Sequence, residues 1–253
     1  MDRLNCHHGP LSLIKRATTN MVYRLIISVA LLMLVFSNDC IAEQQYPSGG
    51  YSQDINLRQL TEIMPRSLEF QHSSEPSPGL TVVQEIRIPP YLPRRCLIDG
   101  VPQLYQNKNE CGPASLAMVL NYWGLPVTRD RLKEAMDFDE KQGTSPGEMY
   151  RLPAVLGLAA AQYTGDLPKL LENLSQGRPV IVNQWFNQQA KKAREMTHFR
   201  VVVGYDSDRR LFFLRDPDSK MGTSTLTFAA FLELWNVNQD HHYPSNWMLV
   251  VYR

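Results

Sequence analysis

From Ile98 onward, apolar residues recur first at helical and then at strand spacing. Leu116, Val119, Leu120 and Trp123 share one helical face, and Gly124 closes the run, which predicts a helix opening near Cys111. "TRDRLKEAM" follows with Thr128 as N-cap. "SPGEM" offers Ser145 as N-cap, Pro146 at the first helical position and Glu148 three residues after the cap, the capping-box spacing. Asp166 caps "LPKLLENLSQG", which Gly177 ends. Strands are then expected at 179–186, 198–206, 210–216 and 246–253, with a helix, "TFAAFLELW" (227–235), between the last two. Helices first and an antiparallel sheet afterwards make an α+β fold. No internal repeat is visible.

Before Ile98 the pattern changes. Residues 43 to about 80 are rich in Ser, Gln, Pro and Gly and carry one short amphipathic segment, Ile55 to Met64. Such a stretch reads as a tether or arm. Leu80 to Ile88 alternates as a strand does, and "PPYLPRR" then breaks the chain, so 43–97 is expected to be an arm and 98–253 the main domain. Leu25 to Phe36 is a twelve-residue apolar core behind Lys15, Arg16 and Arg24, ending at Cys40-Ile41-Ala42. This is the pattern of a signal peptide, residues 1–42, cut before Glu43, with Met21 as an alternative start. A membrane span usually needs about 18 or more apolar residues, so the run is short for a permanent anchor, although an uncleaved segment would tether the protein through 25–36. The expected location is periplasmic or secreted.

Composition narrows the chemistry. Net charge is +1, with no long run of one sign, which gives nucleic acid or an anionic membrane surface nothing to bind. The four cysteines, Cys6, Cys40, Cys96 and Cys111, form no C-x-x-C pair, and no H-E-x-x-H occurs, so neither metal nor cofactor is expected. Removal of residues 1–42 leaves Cys96 and Cys111, which in an oxidising compartment are a disulfide candidate. Against that stands the position of Cys111. A helix start presents unpaired N–H groups and about half a positive charge, both of which favour thiolate.

A thiolate needs a base. Of the histidines beyond residue 42, His72 falls in the arm and His241 and His242 in a polar loop. Only His198 opens a strand. "DSDRR" joins that strand to the next as a hairpin. With the turn centred between Ser207 and Asp208, His198 stands opposite residue 216 or 218, and an odd-length loop puts Asp216 and Asp218 on its face. Either carboxylate could orient the ring, with Asp216 better placed at the strand end. Gln106, five residues before Cys111, could offer an amide N–H to an oxyanion, together with the N–H of Cys111.

"VPQLYQNKNECGPASLAMVLNYWG", with "HFRVVVGYD" and "LRDPDS", resembles the double-glycine leader peptidases of cysteine peptidase family thirty-nine, in particular their stand-alone branch. The resemblance runs from about residue 99 to the end. It implies a papain-like fold, peptide-bond hydrolysis with a peptide or protein as partner, and the roles of nucleophile, base, orienting carboxylate and oxyanion donor on Cys111, His198, Asp216 and Gln106. No ATP-binding domain is expected in this chain, and export would set it apart from leader-processing members, leaving Gly-Gly specificity open. An acyl transferase or amidase would use the same triad. A non-catalytic binding module on this scaffold, or a structural protein with a Cys96–Cys111 disulfide, are the other readings.

Overall fold

The computed structural model describes residues 88–237 and 245–253. The signal segment, the arm with nearly all of its expected strand, and the loop bearing His241 and His242 lie outside the described residues.

Most helices start where a side-chain oxygen takes an N–H that the helix itself cannot pair. Thr128 accepts from Arg131 to open α2 (Arg129–Ala135), Ser145 from Glu148 to open α3 (Pro146–Val155), and Asp166 from Lys169 to open α4 (Leu167–Ser175). Asn187 and Thr227 do the same for α5 (Gln188–Ala193) and α6 (Phe228–Trp235). The capping box expected at Ser145 is half made. Glu148 turns away to accept from the Asp137 N–H and to pair with Arg151. Helix α1 (Cys111–Tyr122) is the exception, because Glu110 at its cap makes no side-chain capping bond. Glu110 is instead buried against Arg129 and Lys133 of α2, at 2.9 and 3.0 Å. Its charge is thereby neutralised beside the helix start.

Among the described residues seven strands form one sheet: β1 (Arg95–Leu97), β2 (Ala159–Thr164), β3 (Val180–Trp185), β4 (Thr197–Asp206), β5 (Leu211–Arg215), β6 (Thr223–Thr227) and β7 (Trp247–Tyr252). Their order is β2-β7-β3-β4-β5-β6, with β1 against β4. Every pairing is antiparallel. The chain thus enters the sheet at Arg95, three residues before the expected start of the domain. Gly204 permits this, since a Cβ there would collide with the Cys96 carbonyl oxygen. Leu116 to Leu120 of α1 are wholly buried in one core with Val180–Val182, Val201–Val203 and Met248–Val251.

One irregularity decides where the site lies. Strands β4 and β5 pair as Asp206↔Leu211, Tyr205↔Phe212 and Gly204↔Phe213, then resume as Val202↔Leu214 and Val201↔Arg215. Val203 is left without a partner on β5, a β-bulge. The connecting loop has four residues, 207–210, so its centre falls between Asp208 and Arg209, one residue later than expected. Without the bulge that register would carry Asp216 to Val201 and the opposite face. With it, the continued register sets Asp216 across from Arg200, on the face of His198.

Candidate active site

Cys111 is the first residue of α1 and a half-buried free thiol. Gly112 leaves room for the loop before α3: a Cβ there would meet Thr144 Cβ at 3.0 Å and Met149 Sδ at 3.1 Å. One turn further, the Ser115 hydroxyl donates to the Phe199 carbonyl at 3.2 Å and ties α1 to β4 beside His198. The thiol is hydrogen-bonded to His198. Burial alone would raise its pKa, but the His198 hydrogen bond and charge, with backbone donors at Phe199 and Gly112, hold it below the ordinary thiol value.

His198 is the second residue of β4 and is buried. Its Nε2 lies 2.7 Å from Asp216 Oδ1, which leaves the other ring nitrogen for the thiol. The Phe186 ring meets it edge to face at 5.2 Å between centroids. Burial disfavours the charged ring, yet the hydrogen bonds and charges of Asp216 and Cys111 prevail and raise its pKa above the usual imidazole value. Asp216 has no exposed surface. Burial would raise its pKa, but the His198 hydrogen bond and charge, joined by Arg200, hold the carboxyl below its usual range. Oδ1 also accepts the Asp218 N–H at 2.8 Å, and Oδ2 accepts Arg200 Nε at 2.5 Å.

The two candidate carboxylates have different partners. Asp218 turns its side chain to the Lys220 N–H at 2.8 Å, while Asp216 meets the ring. Gln106 is drawn to the same end of the sheet, where its N–H donates to the Pro217 carbonyl at 2.9 Å. Its Oε1 is shut off from solvent with no hydrogen-bond partner. Cys96 and Cys111 are not joined in a disulfide, so that reading is corrected: Cys96 sits on β1 with its thiol donating to the Leu174 carbonyl at 3.1 Å. Sequence reading passed over Arg200 and Gln103, whose Nε2 donates to the Asp216 carbonyl at 2.7 Å. Arg200 lay within reach of the pattern, two residues after His198 in a strand and hence on the same face.

A thiol, an imidazole and a carboxylate in hydrogen-bonded series at a helix start are equipped to make and hold a thiolate. The profile of the Peptidase_C39 like family matches residues 98–242. No curated protein matches the chain. A solved structure from Bacillus anthracis, described as a C39-like peptidase, aligns with TM-score 0.51 at 19% identity, over 63% of this chain and 98% of that one. The peptidase domain of Streptococcus ComA, a bi-functional ABC transporter involved in a quorum-sensing pathway, aligns with TM-score 0.47 at 20% identity, over 60% and 98%. At such identities the Bacillus likeness speaks to the fold, whereas the family match spans more than half of the chain. The chain therefore belongs to the Peptidase_C39 like family, a cysteine-type peptidase of papain-like fold.

Proposed function

We propose that this protein is an exported peptidase that hydrolyses peptide bonds in a peptide or protein substrate through Cys111, His198 and Asp216, with Gln106 as oxyanion donor. The observation that carries the reading is the hydrogen-bonded series from the Cys111 thiol through the His198 ring to the buried Asp216 carboxylate. His198 takes the thiol proton, and the thiolate attacks the scissile carbonyl carbon. A C–S bond forms as the C=O electrons move to oxygen. The oxyanion accepts from the Gln106 amide and the Cys111 N–H. As the tetrahedral centre collapses, the C–N bond breaks and the His198 imidazolium protonates the leaving amine. Water then attacks the thioester, giving its proton to His198. Cleavage of the C–S bond releases the acid, and the thiol is restored. Asp216 holds the ring in orientation throughout and balances its charge.

Export rests on the short apolar core at 25–36 and the small residue Ala42 before Glu43. Two measurements test the proposal. Cys111→Ala should abolish hydrolysis of a fluorogenic peptide library while the protein still folds, and retained turnover would remove Cys111 from the reaction. N-terminal sequencing of the protein made in a Gram-negative host should begin near Glu43. Intact residues 1–42 on soluble cytoplasmic protein would overturn export.

A further inference from the structure

Behind the His198–Asp216 pair lies a charge that the reaction itself does not call for. Arg200 is 1% exposed, among the buried polar side chains of His198, Asp216 and Gln184. Its burial is weak evidence of a stabilising role, since buried ion pairs replaced by apolar groups of like volume often leave a protein as stable or more so. Its partners show what it holds. Nε donates to Asp216 Oδ2 at 2.5 Å, Nη1 to Gln184 Oε1 at 3.0 Å and, at 3.5 Å, to the Trp185 carbonyl, and Nη2 to the Phe186 carbonyl at 2.7 Å. Gln184 is itself anchored, its Nε2 donating to the Phe231 carbonyl of α6 at 3.0 Å. The fork is thus fixed from the end of β3 and from α6. Its one charged contact is the oxygen of Asp216 that His198 does not use.

We propose that Arg200 is a positioning residue for the peptidase reaction: by occupying Asp216 Oδ2 it confines the carboxylate to one rotamer, with Oδ1 toward His198, and cancels its charge. The charged groups facing Asp216 are His198 on β4, with Cys111 of α1 beyond it, and Arg200, also on β4. The Asp218 N–H and the Gln103 amide from the flanking loops add neutral donors. With Arg200 present, the set Cys⁻/His⁺/Asp⁻/Arg⁺ sums to zero, as does its neutral counterpart with the proton back on sulfur. A proton can therefore move between sulfur and ring without leaving net charge in a dry interior. Without Arg200 the same set carries one uncompensated negative charge. Two paths then lead to the same outcome at sulfur. An ionised, unbalanced Asp216 opposes thiolate directly, and a protonated Asp216 no longer supports the imidazolium that faces it.

The inference rests on the nucleophile reading of Cys111, and one assay separates the two. The rate of iodoacetamide alkylation, read on the Cys111 peptide by mass spectrometry of the full chain, is followed against pH. Wild type should show thiolate forming well below the ordinary thiol value of about 8.5. Arg200→Met should move that midpoint up by about one pH unit. Arg200→Lys, which keeps the charge and loses the fork, should leave the midpoint near wild type. It should nevertheless lower kcat on the fluorogenic peptide library, on the order of tenfold, through a misplaced carboxylate. Because Arg200→Met strands a buried carboxylate, Arg200→Met/Asp216→Asn is measured beside Asp216→Asn. The two should agree in kcat within about twofold if Arg200 acts on the reaction only through Asp216, while the midpoint lies lower in Asp216→Asn, where the Arg200 charge is left uncompensated. A wild-type midpoint near 8.5 sinks the nucleophile reading itself. A low wild-type midpoint that neither Arg200→Met nor the double variant moves, or losses that multiply in the double variant, overturns the role of Arg200 alone.

Discussion

The two halves of the site are built to different standards. His198, Arg200 and Asp216 stand at the paired ends of β4 and β5, each 3% exposed or less. The carboxylate accepts from His198, the Asp218 N–H and Arg200, so both its oxygens are engaged. Gln106, Glu110 and Cys111 stand on a loop and a helix start. There Asn109 is held at φ +62°, the thiol is half-buried and Gln106 Oε1 has no partner. Hydrogen bonding in the sheet half is complete before any substrate arrives. In the loop half it is incomplete, with the buried Gln106 Oε1 left unmatched. In the proposed reaction, orientation of the base is then a property of folding, and contact with the oxyanion a property of the loop.

That contrast fails if stability does not follow it. Asp216→Ala removes one member of a buried pair and leaves Arg200 uncompensated, so it should cost about 3–5 kcal/mol by urea unfolding as well as activity. Cys111→Ala, at a half-exposed helix start, should change stability by less than about 1 kcal/mol while removing turnover. Equal losses of stability would show that the halves are not distinct.

The next pair sharpens the division of labour. His198→Ala should lower kcat by about 10²–10⁴ and shift the alkylation midpoint of Cys111 toward about 8.5. Gln106→Ala should lower kcat by about 10²–10³ and leave that midpoint where it was. A shifted midpoint in Gln106→Ala would place Gln106 in the resting ion pair.

The pH profile carries the same signature. In the proposed reaction activity needs thiolate at Cys111, whose pKa is held below its ordinary value, and imidazolium at His198, whose pKa is held above its own. The kcat/KM profile should rise as pH climbs through the Cys111 value and fall as pH climbs through the His198 value. It should be a bell wider than the unperturbed values of about 8.5 and 6.5 could support. Stability follows the sheet half. The pKa of Asp216 is depressed in the fold, so its contribution is full above the unfolded value of about 3.9 and is lost as pH falls through the folded one. Asp218→Asn is the smallest effect. Its side chain serves the Lys220 N–H, and activity and stability should stay within about 0.5 kcal/mol of wild type.

Much of this was legible in local chemistry. Thr128, Ser145 and Asp166 mark helix starts because one side-chain oxygen suffices to do so, and Cys111 and His198 stand out by their places at or next to the start of a helix and a strand. What escaped depends on partners distant in sequence. Strand β2, "AAAQYT", has small and polar residues and owes its extension to β7. Strand β6, "TSTLT", owes its own to β5, and α5 is a six-residue helix announced only by Asn187. The bulge at Val203 carries no mark in a run of three valines. Asp216 was reached by a register in which a later turn and an extra residue offset one another.

The pairing that Gly204 allows has a consequence for the order of folding. Strand β1 joins β4 as Cys96↔Tyr205, across more than a hundred residues of intervening chain. Ring closure over such a distance is slow compared with the hairpin of β4 and β5, which turns within four residues. Strand β1 therefore emerges before β4 and docks late. Strand β4, with the base already aligned on it, is closed along that edge by a segment that has waited for nearly the whole fold.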